Sequence, residues 1–297
     1  MFTLELFTQT LIAGLMIGVL YALMALGITF IYSIVRMINW AMGEFYMLGS
    51  YIQYVVVAYA LGRNLWWLAV VVSTAGTFLI GYVIEVILIK PMHARAMERR
   101  DDYATVVTIA LLLMLRSLAV AIGGPYQFRP ETNLPIMWVG PLPMEGARVA
   151  ASVCALIALG LFYLVIYKTW VGLALRAAAQ NRVAVRTSGV DVFRLDAIAF
   201  AIGVALAGLA GALLAPLFLV YPTNGVVTTV KGFEIIVIGG LGSIPGALIG
   251  GLLLGVVESL GAAFISSPYQ NAYGFLLVLL VLLVRPYGLF GERGRET

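Results

Sequence analysis

Apolar residues in this chain do not alternate with polar ones; they come in long runs separated by short polar or basic connections. Runs at about 8–31, 44–61, 65–89, 103–122, 148–168, 193–216 and 271–285 approach or exceed the length a helix needs to cross a hydrocarbon core roughly 30 Å thick. An eighth stretch, 232–265, is too long for one span, because its 34 residues would make a helix of about 51 Å. Gly239, Gly240, Gly242, Pro245 and Gly246 interrupt it. The pattern predicts a half-helix at 232–243, a break at 242–246 and a full helix at 246–265. Between the first two runs, 33–43 is too polar for a lipid-facing helix and too apolar for a water-exposed loop, which predicts a re-entrant piece. The expected fold is all-α, a polytopic helical membrane protein with about eight spanning helices plus re-entrant or half-helix segments, in one domain over 1–297.

Composition removes the soluble alternatives. Hydrophobic residues make up 62% and charged residues 11%, against roughly 45–50% and 25% in soluble domains, so the polar groups that would cover a globule in water are missing. The excess of 18 Lys and Arg over 14 Asp and Glu is too small and dispersed for a nucleic-acid surface, but it orients a membrane protein. Basic residues cluster at Lys90, Arg95, Arg99 and Arg100, at Lys168, Arg176, Arg182, Arg186 and Arg194, and at Arg285, Arg293 and Arg295. The connections between hold only Arg63, Arg129 and Arg148. The three clusters are therefore expected in the cytoplasm, which places Met1 outside and the C-terminus inside if 232–265 crosses twice. Residues 1–10 carry no basic residue, so the first run is expected to stay as a helix and not be removed as a signal peptide.

Most enzyme chemistry lacks its residues. A single cysteine, Cys154, and a single histidine, His93, cannot build a disulfide, a Cys/His zinc site or an H-E-x-x-H helix. Lys90, Lys168 and Lys231 do not follow a glycine, so no Walker A loop is present. Asp101, Asp102, Asp191 and Asp196 lie in or beside charged connections, which leaves no intramembrane aspartyl pair. Gly240-Leu-Gly242-Ser-Ile-Pro-Gly246 is a near miss to a dinucleotide fingerprint but feeds a lipid-length run.

The breaks carry the functional reading. Non-helical backbone at membrane depth is tolerated where protein or a water-filled cavity satisfies it, and interrupted segments in two halves of a transporter point to its pathway. Asn39, Glu44, Gly239, Gly240, Gly242, Ser243, Pro245 and Gly246 are thus candidates to line or hinge a pathway; plain packing kinks are the alternative. Small residues at fourfold spacing, Gly203, Ala207, Gly211 and Ala215, then Gly242, Gly246 and Gly250, with Gly14 and Gly18, predict close helix packing. Glu85 and Arg116 lie near enough to helix ends to snorkel. Glu44, Glu234 and Glu258 could form a proton relay, but no acid, histidine or base follows any of them by three or four positions, so structural hydrogen bonding is an equal reading. The alanine-rich run from Arg176 to Gly189 predicts a short helix ended by glycine, fit either to dock a motor or to lie on anionic lipid.

Four stretches, Tyr21–Tyr32, Ile38-Asn-Trp-Ala-Met-Gly-Glu-Phe-Tyr-Met-Leu-Gly49, Arg176–Gly189 and Lys231-Gly-Phe-Glu to Gly251, with Arg285-Pro-Tyr-Gly-Leu-Phe-Gly291, resemble the permeases of branched-chain amino-acid ABC transporters, in the shorter of their two paired types. The resemblance runs over essentially the whole chain; Met42 departs from it, since a histidine is expected there. It implies a bacterial inner-membrane permease that imports leucine, isoleucine and valine. It further implies a second, homologous permease, two cytoplasmic ATPases and a periplasmic substrate-binding protein as partners, beside membrane lipid. Arg176, Ala179, Gln180, Asn181, Ala184 and Gly189 would then belong to the ATPase coupling loop. This chain would hold no cofactor, ATP and Mg residing on the ATPases. Urea and short-amide permeases share much of the pattern, and an ion-coupled secondary transporter using the three glutamates is the rival of another class.

Overall fold

The computed structural model describes residues 4–94, 99–140 and 142–291. Met1, Arg95, Arg293 and Arg295, and with them parts of two basic clusters, lie outside the described residues, as do the side chains of His93 and Arg100. Twelve α-helices are described. The first, α1 (Leu4–Val35), is followed by α2 (Met42–Val55), which a π-helical turn extends to Leu61. Next, α3 (Trp66–Ile84) continues through a π-helical turn, Glu85–Ile89, into α4 (Lys90–Ala94), and α5 (Arg100–Gly123) follows. A small antiparallel hairpin, β1 (Met137–Val139) with β2 (Leu142–Met144), precedes α6 (Gly146–Lys168). The remaining helices are α7 (Trp170–Gln180), α8 (Arg182–Thr187), α9 (Val192–Leu214), α10 (Asn224–Gly239), α11 (Ile244–Phe264) and α12 (Gln270–Val284). Seven helical segments are long and apolar enough to cross a membrane, and α2 with its extension occupies the place of the eighth expected span.

The core is a pair of helices, α1 and α9, around which the others are arranged. In their most apolar stretches α1 is 67% and α9 83% buried, against 17% for α5 and 6% for the segment that ends in α12. Small residues make this possible, because backbones without side chains between them gain dispersion contact that lipid tails cannot offer. On α1, Gly14 and Gly18 lie against Gly255, Gly251 and Leu252 of α11; a Cβ on Gly18 would sit 2.8 Å from the Leu252 Cα. Gly208 of α9 faces Thr77 of α3, and Gly81 of α3 faces Val204. Gly27 and Gly203 bring α1 and α9 together, antiparallel.

These contacts exchange partners between two halves: α1 packs on α11, α9 packs on α3, and α2 and α10 meet at their N-terminal ends. With α1 and α9 antiparallel, the contacts of the trio α1–α2–α3 and those of the trio α9–α10–α11 mirror one another.

Three boundaries differ from expectation. Residues 33–35 complete α1 and Met42–Gly43 already belong to α2, so only 36–41 are non-helical. The half-helix begins at Asn224, not 232, because its polar residues find internal partners: Asn224 donates to the Ser50 Oγ and Thr229 to the Gly225 carbonyl. The break falls at 240–243, and Pro245 and Gly246 stand in the first turn of α11, where proline has no N–H to lose.

Candidate functional site

The first interruption is built by one side chain and one unusual residue. Arg36 has φ 60°, the left-handed region that a β-carbon disfavours, and it is the only non-glycine residue described there. The buried Asn39 then accepts from the Ala41 N–H at 3.0 Å, closing the turn that launches α2. Immediately after it, Gly43 donates to the Thr229 Oγ1 at 3.1 Å and lies so close to α10 that a Cβ would stand 1.9 Å from the Gly225 carbonyl oxygen. Glu44 is fully buried and paired with Arg116 of α5 at 3.3 Å, so Arg116 does not snorkel to a helix end but ties α5 to α2.

At the opposite end of α10 the chain turns on glycines. Gly240 and Gly242 have φ of 100° and 81°. Gly239 packs on Gly246, where a Cβ would meet the Gly246 carbonyl oxygen at 2.2 Å. Ser243 caps α11 by accepting from the Gly246 N–H at 3.1 Å, and the Gly242 carbonyl accepts from the Ser33 hydroxyl at 2.9 Å. The tail after α12 folds under this turn: the Leu289 and Phe290 N–H groups donate to the carbonyls of Ile238 and Gly239, which α10 would otherwise leave unsatisfied.

The run from Arg176 to Gly189 is two helices, not one. Asn181 interrupts it by capping α8, its side chain accepting from the Ala184 N–H at 3.0 Å. Gly189, at φ 83°, ends α8 in a Schellman motif, with Val190 N–H donating to the Val185 carbonyl and Gly189 N–H to that of Arg186. Arg36 reaches this segment and donates to the Ala179 carbonyl at 3.2 Å.

A cavity of about 900 Å³ joins the two regions. Gly242, Ser243 and Pro245 line one side, Arg176, Ala179 and Gln180 the other. Asn39, Glu44, Gly239, Gly240, Gly246, Asn181, Ala184 and Gly189 do not line it; they shape the turns and helix ends around it.

Two charged groupings escaped the sequence reading. Tyr21 donates to Glu258 at 3.2 Å, Gln270 does so at 3.4 Å, and Lys231 forms an ion pair with it; Glu234 lies beside them against Gly274. Lys231 stands one turn before Glu234, a spacing visible in the chain, but Tyr21 and Glu258 lie far from it in sequence. The second corrects one expectation and sharpens another: Glu85 does not snorkel but is 1% exposed, and Asp196, beside the charged connection, is 1% exposed within α9 and paired with Arg182 of that connection.

Spanning helices packed through glycine, two helices that begin inside the bundle, and an end turn joined by a cavity to an amphipathic connecting segment define the class of a multi-pass membrane permease. The chain belongs to the family described as the permease component of the branched-chain amino acid transport system, which matches residues 10–284. It is 33% identical to the high-affinity branched-chain amino acid transport system permease protein LivH of Escherichia coli (strain K12), with 96% of both chains covered. It is likewise 33% identical to BraD, the permease protein of the same kind of system in Pseudomonas aeruginosa, again over 96% of both. A more distant relative, the ribose import permease protein RbsC of Escherichia coli (strain K12), is 28% identical over 61% of this chain and 60% of its own. No solved structure matches.

Proposed function

We propose that this chain is the membrane-spanning subunit of an ATP-driven importer of branched-chain amino acids. It forms the translocation pathway with a second, homologous permease, receives cargo from a periplasmic binding protein, and is driven by two cytoplasmic ATPases that hold the ATP and Mg. The observation that carries this reading is the cavity whose lining combines the glycine turn at 240–243 with Arg176, Ala179 and Gln180 of the connecting segment. The basic excess carried by Lys90, Arg99, Arg176, Arg182 and Arg285, in and around these connections, supports a cytoplasmic position for them. Glu44 and Glu258 are each engaged by a basic side chain, which supports structural roles for them over a proton relay.

The test is to tag the C-terminus, extract the protein from its native membrane in mild detergent, identify what co-purifies, and reconstitute it. Recovery of a second permease with two ATPases, and leucine uptake that requires ATP inside the vesicles and binding protein outside them, is expected. Uptake by the chain alone, without ATP, would refute the reading.

A further inference from the structure

The segment α7–α8 meets the membrane-spanning helices in two different ways. On α7 the buried side chains are small or aliphatic, Leu175 and Ala178. On α8 the buried residue is Val185, and a directed contact comes from Arg182, whose guanidinium pairs with the Asp196 carboxylate of α9. Asp196 is 1% exposed, and its second oxygen has no hydrogen-bond partner. Glu85, also 1% exposed, stands next to it from α3, with both carboxylate oxygens free of hydrogen bonds and with Asp196, Lys90 and Arg182 as its charged neighbours. Glu85 opens the π-helical turn of α3, an extra residue in the helix that such turns often place at functional positions. One buried acid of α9 is thus paired with a cation carried by the connecting segment, and a second buried acid, following α3, lies in the field of both.

Apolar surfaces can slide by an ångström at little cost, whereas a buried carboxylate cannot be parted from its cation without being left uncompensated. We propose that Arg182 is the positioning residue that makes α8 a strut: displacement of α7–α8 pulls Asp196, and through it α9, instead of slipping past it. This rests on the reading of α7–α8 as the segment moved by the ATPases. α9 is the most buried span and packs on α1, α2 and α3, so a pull applied near its start, at Asp196, reaches the core of the subunit.

The test uses the complete transporter in proteoliposomes and measures ATP hydrolysed and leucine imported in the same sample. In Arg182→Gln, hydrolysis is expected to stay within about twofold of the parent while import falls about tenfold, so that the ATP consumed per leucine rises. The exchanged pair, Arg182→Asp with Asp196→Arg, is expected to recover most of the import. An unchanged ratio in Arg182→Gln, a parallel fall of hydrolysis and import, or an exchanged pair no better than Arg182→Gln would overturn the proposal. If Arg182→Gln does not assemble, Asp196→Asn, which keeps the side-chain volume, is read in the same way; failure of both to assemble makes the pair a structural one and also overturns it. A parent complex that imports without ATP refutes the functional reading and not the strut alone.

Discussion

The helices α1, α9 and α5 are about equally apolar and α12 carries an unbroken apolar run from Phe275 to Val284, yet α1 and α9 have surroundings opposite to those of α5 and α12. The first two are enclosed by protein and contact their neighbours through glycine, whereas α5 and α12 present Leu113, Leu118, Leu276 and Leu279 outward, each about half exposed. Apolarity alone therefore does not say which helix is core; in a bilayer, lipid satisfies leucine as well as protein does, and the distribution of small residues is what separates the two kinds. Polar side chains follow the same division, since Glu44, Glu234, Glu258 and Asp196 all sit on enclosed helices or on the face of a helix turned toward them.

The contrast can be broken most severely where backbones touch. Gly43→Val would drive its side chain into the Gly225 carbonyl, and essentially no monodisperse protein is expected on size-exclusion chromatography after extraction. Next in size, Lys231→Met removes the cation from the buried Glu258 and is expected to cost about 3–5 kcal/mol, read as a lowered thermal unfolding midpoint in detergent. Glu258→Gln combined with Lys231→Met should recover part of that loss, because both partners of the pair are then neutral. A smaller loss, about 1–3 kcal/mol by the same measurement, is expected for Arg116→Leu, since Arg116 is partly exposed while the Glu44 it leaves is not. At the far end, Leu279→Ala on α12 should change the stability of the isolated subunit by no more than about 0.5 kcal/mol. If the same substitution lowers recovery of the assembled transporter, the outer face of α12 is a subunit interface and not a lipid-facing one.

The spans were legible because a bilayer imposes length and apolarity on each of them, and the glycine break was legible because Gly239–Gly246 interrupts an otherwise continuous run. What stayed hidden depends on distance in sequence. The start of α10 carries Asn224, Thr228, Thr229 and Lys231 and therefore reads as a loop; its partners Gly43 and Ser50 come from the other half of the chain. Arg116 and Glu44 are 72 positions apart, Lys231 and Glu258 27, and Arg182 and Asp196 14, so no local spacing pairs them. The candidate site divides the same way. The glycine turn and the α7 segment were each visible, but their shared cavity exists only once α1, α6 and α12 are placed around it.

The meeting of α2 with α10 also orders the making of the protein. Gly43 and the Thr229 that receives its hydrogen bond are 186 positions apart, which at about 5–20 residues per second is roughly 10–40 s of synthesis. Through that interval the ribosome has delivered α2 without the surface it is shaped for, and the Gly43 N–H has no final partner. The newborn N-terminal half must wait in a provisional arrangement, and the chain reaches its finished form only when its second half arrives to complete the first.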